Sequence, residues 1–187
     1  MKQSNIRPAE VDDIPAVAAI YAEAVENGTG SFELEDPGEE EMTDRLRKGR
    51  EAGYPWLVVE NDGVVVGFAY AGLYRGRRGY RHTVQDAIYM APTARGRGVG
   101  RALLTALIDE AERLGFRQMI AIIGDSSNRA SIQLHAALGF MPIGVLHDVG
   151  RKHGRWLDTV MMQLSLGKGA LDAPDDEAAS GDGESGS

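Results

Sequence analysis

The sequence predicts a single mixed α/β domain, a mostly antiparallel sheet flanked by helices. Three observations carry this. Segments with helical spacing alternate with short apolar runs from residue 3 to residue 166. Two of those runs are joined by the tight turn Asn61-Asp62-Gly63, whereas others are separated by a whole helix. Hairpins make antiparallel neighbours and helical crossovers make parallel ones, so the sheet must contain both. With 187 residues, the chain is long enough to build a core without metals or crosslinks.

Each element has a local reason. Residues 3–7 read as a short strand. Asp12 and Asp13 precede Ile14, Val17, Ile20, Tyr21, Ala24 and Val25, whose spacing makes an amphipathic helix with acids at its positive end. Asn27-Gly28 stops it, and a loop carrying Ser31-Phe32-Glu33 follows. A second helix is expected over 38–52, then strands over 56–60 and 64–73 around the Asp-Gly turn. A basic loop spans Tyr74–Arg81, and residues 82–91 form a strand ending at Pro92. Val99, Leu103, Leu104, Leu107, Ile108, Ala111 and Leu114 make one face of a strong helix closed by Gly115. Residues 117–123 read as a buried strand, 128–138 as a short helix ended by Gly139, and 141–148 and 156–166 as two last strands. Trp56 and Trp156 are expected in the core.

Composition narrows the function. Lys plus Arg number 20 and Asp plus Glu 28, a net charge of −8. Residues 168–187 hold one base and six acids, so −5 of that charge sits in a Gly/Ser-rich tail with little to bury, expected to be disordered. The folded domain is therefore drawn at residues 1–167. An acidic balance argues against nucleic acid as the main partner. No run approaches the roughly 18 apolar residues of a membrane span, and the first residues hold no apolar leader, so the cytoplasm is expected. The absence of cysteine excludes disulfides, a cysteine nucleophile and thiolate metal sites. His82, His147 and His153 show no metal-ligand spacing, and no metal is expected.

The informative segment runs from Tyr89 to Arg101. A strand enters a turn with glycines at 96, 98 and 100 and leaves as a helix. Glycines allow close approach of backbone to a ligand, and the first N–H groups of a helix attract an anion. Arg95, Arg97 and Arg101 add positive charge. The turn lacks the Lys-Ser/Thr of a P-loop, and the third glycine of a dinucleotide fingerprint is replaced by Leu103. What remains is a pyrophosphate site of another kind, or a flexible turn with solvated arginines.

Arg95-x-x-Gly98-x-Gly100 resembles the Arg/Gln-x-x-Gly-x-Gly/Ala motif of the GCN5-related N-acetyltransferases (GNAT). Asn128 through Gly139-Phe140 is similar to that superfamily's second signature. More narrowly, Ser31-Phe32-Glu33, Gly67-Phe68-Ala69-Tyr70-Ala71, Arg75-x-Arg77-x-x-Tyr80-Arg81-x-Thr83-Val84 and Gly154-Arg155-Trp156-Leu157-Asp158 resemble the phosphinothricin and methionine sulfone/sulfoximine acetyltransferases. The resemblance implies the GNAT fold, acetyl-CoA as cosubstrate, direct transfer of acetyl to the α-amine of a small amino-acid-like acceptor, a detoxifying role, and a homodimer.

It also implies sites. Ile88, Tyr89 and Met90 would hold the pantetheine arm, with a backbone N–H near Met90 facing the thioester oxygen. Arg95, Gly96, Arg97, Gly98, Val99, Gly100 and Arg101 would cradle the pyrophosphate, and Asn128 and Ser131 would flank the arm. Arg75, Arg77, Tyr80 and Thr83 would bind the acceptor, arginine forks being suited to a carboxylate. Phe32 would wall the acceptor pocket and Glu33 receive its ammonium. The narrower family places a glutamate where this chain has Gln85, followed by Asp86. Gln85 cannot accept a proton, and strand alternation turns Asp86 to the other face unless a bulge intervenes. Water ordered by Gln85 and Asp86 itself both stay open as the proton acceptor. His135, where the superfamily often has tyrosine, is the candidate acid. Lys152 and Arg155 lie where they could approach the cleft. Two other readings stay open: the same chemistry on a polyamine or a protein N-terminus, and a module that binds CoA with little catalysis.

Overall fold

The structure, a computed structural model, describes residues 4–174. Seven strands and four helices follow in the order β1 (Ser4–Pro8), α1 (Ile14–Asn27), α2 (Gly38–Glu51), β2 (Trp56–Asn61), β3 (Val64–Leu73), β4 (Thr83–Met90), α3 (Val99–Arg113), β5 (Gln118–Gly124), α4 (Arg129–Ala137), β6 (Met141–Lys152) and β7 (Arg155–Ser165). The sheet order is β1-β2-β3-β4-β5-β7-β6. β4 and β5 are parallel, joined by the α3 crossover, and every other neighbouring pair is antiparallel. The mixed sheet expected from the sequence is therefore present.

Alternation along the central strands gives the sheet two apolar faces. Val59, Ala69, Val84, Met119 and Ala121 pack under Leu103, Leu104 and Leu107 of α3. Val58, Phe68 and Trp56 face Val17 and Tyr21 of α1 and Met42 and Leu46 of α2. Trp56 stacks on Tyr70 with ring centroids 4.2 Å apart. Trp156 does not join either core: it is 60% exposed, because it falls on the outward face of β7 opposite Arg151 of the edge strand β6.

The start of α1 also departs from expectation. Residues 11–13 form a single 3-10 turn, and α1 begins only at Ile14, with no acid in its first turn. Asp13 is instead buried and gripped at both oxygens by Arg7, each contact 2.7 Å. Arg7 also holds Glu60 on β2, which closes the edge of the sheet. The Arg7 hydrogen bonds hold the Asp13 carboxyl below its ordinary range. Such a group stabilises the fold above its unfolded value, near 4, and loses that contribution as pH falls through its lower folded value. Arg7→Met is expected to cost about 2 kcal/mol at pH 7 by removing charge-assisted hydrogen bonds from a buried carboxylate. Thermal unfolding should show the gap from wild type closing as pH drops below about 4.

Residues 168–174 make contacts with the rest of the domain. Gly169 N–H donates to the Leu166 carbonyl, and Arg117 holds Asp172 and the Ala173 carbonyl. The expected tail thus begins with a turn held by Arg117, the residue before β5, and residues 175–187 lie outside the described residues. Among the described residues, no helix is long and apolar enough to cross a membrane.

Candidate active site

The site follows from one break in the sheet. β4 and β5 pair from Thr83↔Gln118 to Asp86↔Ala121 and then part. β4 continues against β3 as far as Met90, while β5 continues against β7 as far as Gly124. A wedge opens between them. Ala91 N–H donates to the Val66 carbonyl at 2.9 Å, so residues 66 and 91 are a hydrogen-bonded pair. Antiparallel pairs alternate, so Ile88 and Met90 turn their amides away from β3, into the wedge. Arg95 Nε takes the Met90 carbonyl at 3.1 Å.

A cavity of about 260 Å³ fills the wedge. Its walls are the loop Gly30–Phe32, Tyr70 on β3, Gln85–Tyr89 on β4, Ala121–Gly124 on β5, and Asn128, Ser131 and His135 of α4. Asp86 and His135 are its buried polar pair, 6% and 2% exposed, with Nε2 and Oδ2 2.9 Å apart. His135 Nδ1 lies 2.7 Å from the Ser131 carbonyl, an acceptor only, so Nδ1 carries a hydrogen. The contact to Asp86 therefore needs a further shared proton. Burial pushes the His135 imidazolium toward losing a proton, but Asp86's hydrogen bond and charge, with the Ser131 carbonyl, outweigh it and raise His135 above an ordinary histidine. The other Asp86 oxygen, Oδ1, is buried without a hydrogen-bond partner. No register shift interrupts β3 and β4, so Asp86 and Gln85 do lie on opposite faces, as alternation requires. No bulge is needed: Asp86 reaches the cavity from the α3 side, where α4 delivers His135.

The glycine turn lies at the mouth of the wedge. Gly96 and Gly98 have φ of +72° and +79°, and Gly98 begins α3 with no side chain capping its first N–H groups. A β-carbon at Gly100 would lie 3.6 Å from Met90 Cγ, which places the first turn of α3 beside the end of β4. At the start of α4, Asn128 Oδ1 accepts the Ser131 N–H at 3.2 Å, and its Nδ2 would lie 3.7 Å from a β-carbon at Gly30.

Comparison with known proteins decides the family. The family model described as Acetyltransferase (GNAT) family matches residues 17–140. The chain belongs to the GNAT acetyltransferase family. It is 51% identical over 171 residues to a phosphinothricin N-acetyltransferase of Alcaligenes faecalis, covering 91% of this chain and 87% of that one. It is 41% identical to the L-methionine sulfoximine/L-methionine sulfone acetyltransferase of Salmonella typhimurium, over 91% and 98% of the two chains. The crystal structure of a phosphinothricin acetyltransferase from Sinorhizobium meliloti in complex with acetyl-CoA has a TM-score of 0.90 and 44% identity, over 92% of this chain and 94% of that one.

This acetyltransferase thus uses acetyl-CoA, and among its described residues no group of His, Asp or Glu is arranged to hold a metal. Of the residues singled out in its sequence, Phe32, Gln85, Asp86, Ile88, Tyr89, Asn128, Ser131 and His135 line the cavity. Val99, Gly100 and Arg101 form the adjoining helix start. Arg95 is engaged by Glu23 at 2.5 Å as well as by the Met90 carbonyl, so it holds the turn to α1. Glu33 does not line the cavity and pairs with Arg45 of α2 at 2.9 Å. Arg75, Arg77, Tyr80 and Thr83 do not line it either. Arg75 lies over the rings of Tyr74 and Tyr80, at 5.3 and 5.8 Å, on the loop before β4. Arg155 pairs with Asp125 at 2.6 Å.

Sequence reasoning missed Tyr70, which lines the cavity, and named Lys152 only as a residue that could approach the cleft. Tyr70 shares a strand face with Phe68, and that alternation was the available signal. Lys152 is only 4% exposed and donates to the Ser31 carbonyl at 2.9 Å. Beside the hairpin turn His153-Gly154, a lysine gives no sequence sign of burial.

Proposed function

We propose that this enzyme transfers acetyl from acetyl-CoA to the α-amine of a small amino-acid-like acceptor of the phosphinothricin, methionine sulfoximine or methionine sulfone type, as a detoxifying step. The observation that carries this is the buried Asp86–His135 pair in the wall of the wedge, beside the outward amides of Ile88 and Met90. The relatives named above act on such acceptors, and the residues present suit the cosubstrate. Ile88 and Met90 offer a strand edge to an amide-bearing arm, Asn128 and Ser131 flank it, and the uncapped start of α3 with Arg97 and Arg101 suits a pyrophosphate. The cosubstrate supplies an acetyl thioester.

The chain's own residues then perform three tasks. The Met90 N–H faces the oxygen on which charge develops. With its shared proton lost to solvent, the Asp86–His135 pair accepts the proton that the amine gives up as the new N–C bond forms. The pair returns that proton to the sulfur as the C–S bond breaks, so nothing is consumed but amine and thioester. Gln85, on the opposite face, orients the amine or a water without changing charge. This reading keeps the cytoplasmic location expected from the sequence.

Thiol release from acetyl-CoA, read with a thiol-reactive dye, tests the assignment, and a protein without cysteine adds no background. Release with methionine sulfone, methionine sulfoximine or phosphinothricin, but not with spermidine or a peptide amine, is expected. Silence with all three in a protein that still binds acetyl-CoA would favour another amine or a binding module.

The proposed assembly is a homodimer, supported by β6. This edge strand exposes Met141, Ile143, Val145, Leu146 and Val149, each 41–69% accessible. A long apolar edge left bare invites pairing with another chain. Light scattering should give twice the chain mass, and Val145→Lys with Leu146→Glu should give the monomer.

A further inference from the structure

The loop that walls the acceptor side of the cavity is seated on two glycines. At the end of β5, a β-carbon on Gly124 would overlap the Thr29 carbonyl oxygen and come within 3.0 Å of Phe32 Cε1. On β6, a β-carbon on Gly150 would overlap Cε2 of the Phe32 ring and lie 2.6 Å from Cδ2 and 3.0 Å from Cζ. Gly150 does not have a positive φ, so its backbone does not require glycine. What requires it is the room taken by the ring.

The loop backbone is held independently of that ring. Lys152 Nζ donates to the Ser31 carbonyl, Tyr21 Oη and Ser31 Oγ are 3.0 Å apart, and His153 Nε2 reaches the Gly28 carbonyl at 3.2 Å. A methyl group at position 150 therefore finds the backbone pinned, and the ring is the part that must give way. The ring lines the cavity, so displacing it from β6 reshapes the cavity wall.

We propose that Gly150 is a specificity-determining residue: by leaving a socket for the Phe32 ring, it sets how long an acceptor side chain the cavity admits. This rests on the acceptor class proposed above. Gly150→Ala narrows the acceptor space without touching the amides of β4 or the start of α3. Closing a pocket by about one methyl group changes discrimination by roughly 10- to 200-fold.

Two readouts test this. The first is fluorine NMR of protein labelled with fluorophenylalanine, the Phe32 resonance being assigned by its loss in Phe32→Leu. That resonance is expected to move in Gly150→Ala, and an unmoved resonance overturns the proposal. The second is steady-state kinetics with methionine sulfone. Gly150→Ala is expected to raise the acceptor KM about tenfold or more, leave the acetyl-CoA KM within about twofold, and recover when combined with Phe32→Leu. An unchanged acceptor KM, equal losses for both substrates, or no recovery in the double variant overturns it. A wild-type enzyme that releases no thiol with any amino-acid acceptor sinks the acceptor assignment instead, and the fluorine shift then decides alone whether Gly150 seats the ring.

Discussion

Asp86→Asn is expected to lower kcat/KM for the acceptor amine by about 100- to 10,000-fold, the span over which positioned acid–base groups act. Asparagine keeps the volume and can still bond His135 Nε2, so the fold should survive and the acetyl-CoA KM should change little. The loss is chemical. Nδ1 is committed to the Ser131 carbonyl, so the pair exchanges its proton through Nε2 and the Asp86 carboxylate.

The pH profile distinguishes this from a structural effect. A base works in its deprotonated form, so the wild-type kcat/KM should rise with pH, with a midpoint above the ordinary histidine value of about 6.5, because Asp86 raises His135. That midpoint belongs to the pair and not to one residue. In Asp86→Asn the carboxylate is gone while burial remains, so the residual limb should shift to lower pH. A limb that stays in place would remove the pair from the proton path. Gln85→Glu is the complementary variant: if it alone restored activity to Asp86→Asn, the face of β4 carrying the base would not matter.

The largest expected effect on stability is at Phe140. It is 2% exposed and meets the His135 ring edge-on, with centroids 4.9 Å apart. It follows Gly139, whose φ of +91° ends α4 and turns the chain into β6. Phe140→Ala should cost about 3–5 kcal/mol through lost burial and the cavity left behind. For a chain of this size that is a fall in Tm of about 10 °C, read by thermal unfolding. Because the cavity opens beside His135, kcat should fall as well. Phe140→Leu should recover most of the Tm but less of the kcat, since it refills volume without restoring a flat partner for the imidazole. Equal recovery of both would mean that the ring serves packing alone.

Several parts of this site were legible in residue order. Gly96, Gly98 and the strand–turn–helix around them are local: positive φ, N–H groups and charge all sit within about ten residues. Asn128 capping α4 is local in the same way. The alternation that sets Gln85 and Asp86 on opposite faces also held. What residue order could not supply was the partner of each polar group. Glu33 reads as a loop acid until α2 brings Arg45 to it, and Asp13 reads as a helix-start acid until Arg7 claims it across the sheet edge. Trp156 reads as core because tryptophan is large and apolar, yet its strand neighbours an edge with nothing beyond it.

The sequence by itself determined the element order, the mixed sheet and the glycine turn, because each rests on periodicity, turn chemistry or short-range spacing, and two short motifs carried the resemblance to the family. Only the tertiary structure decided that β4 and β5 part after Asp86, that His135 meets Asp86 across 49 positions, and that Gly150 makes room for Phe32. These are contacts between distant segments. Their energies depend on burial and on which groups share a low-dielectric cavity, and neither exists until the chain has closed on itself.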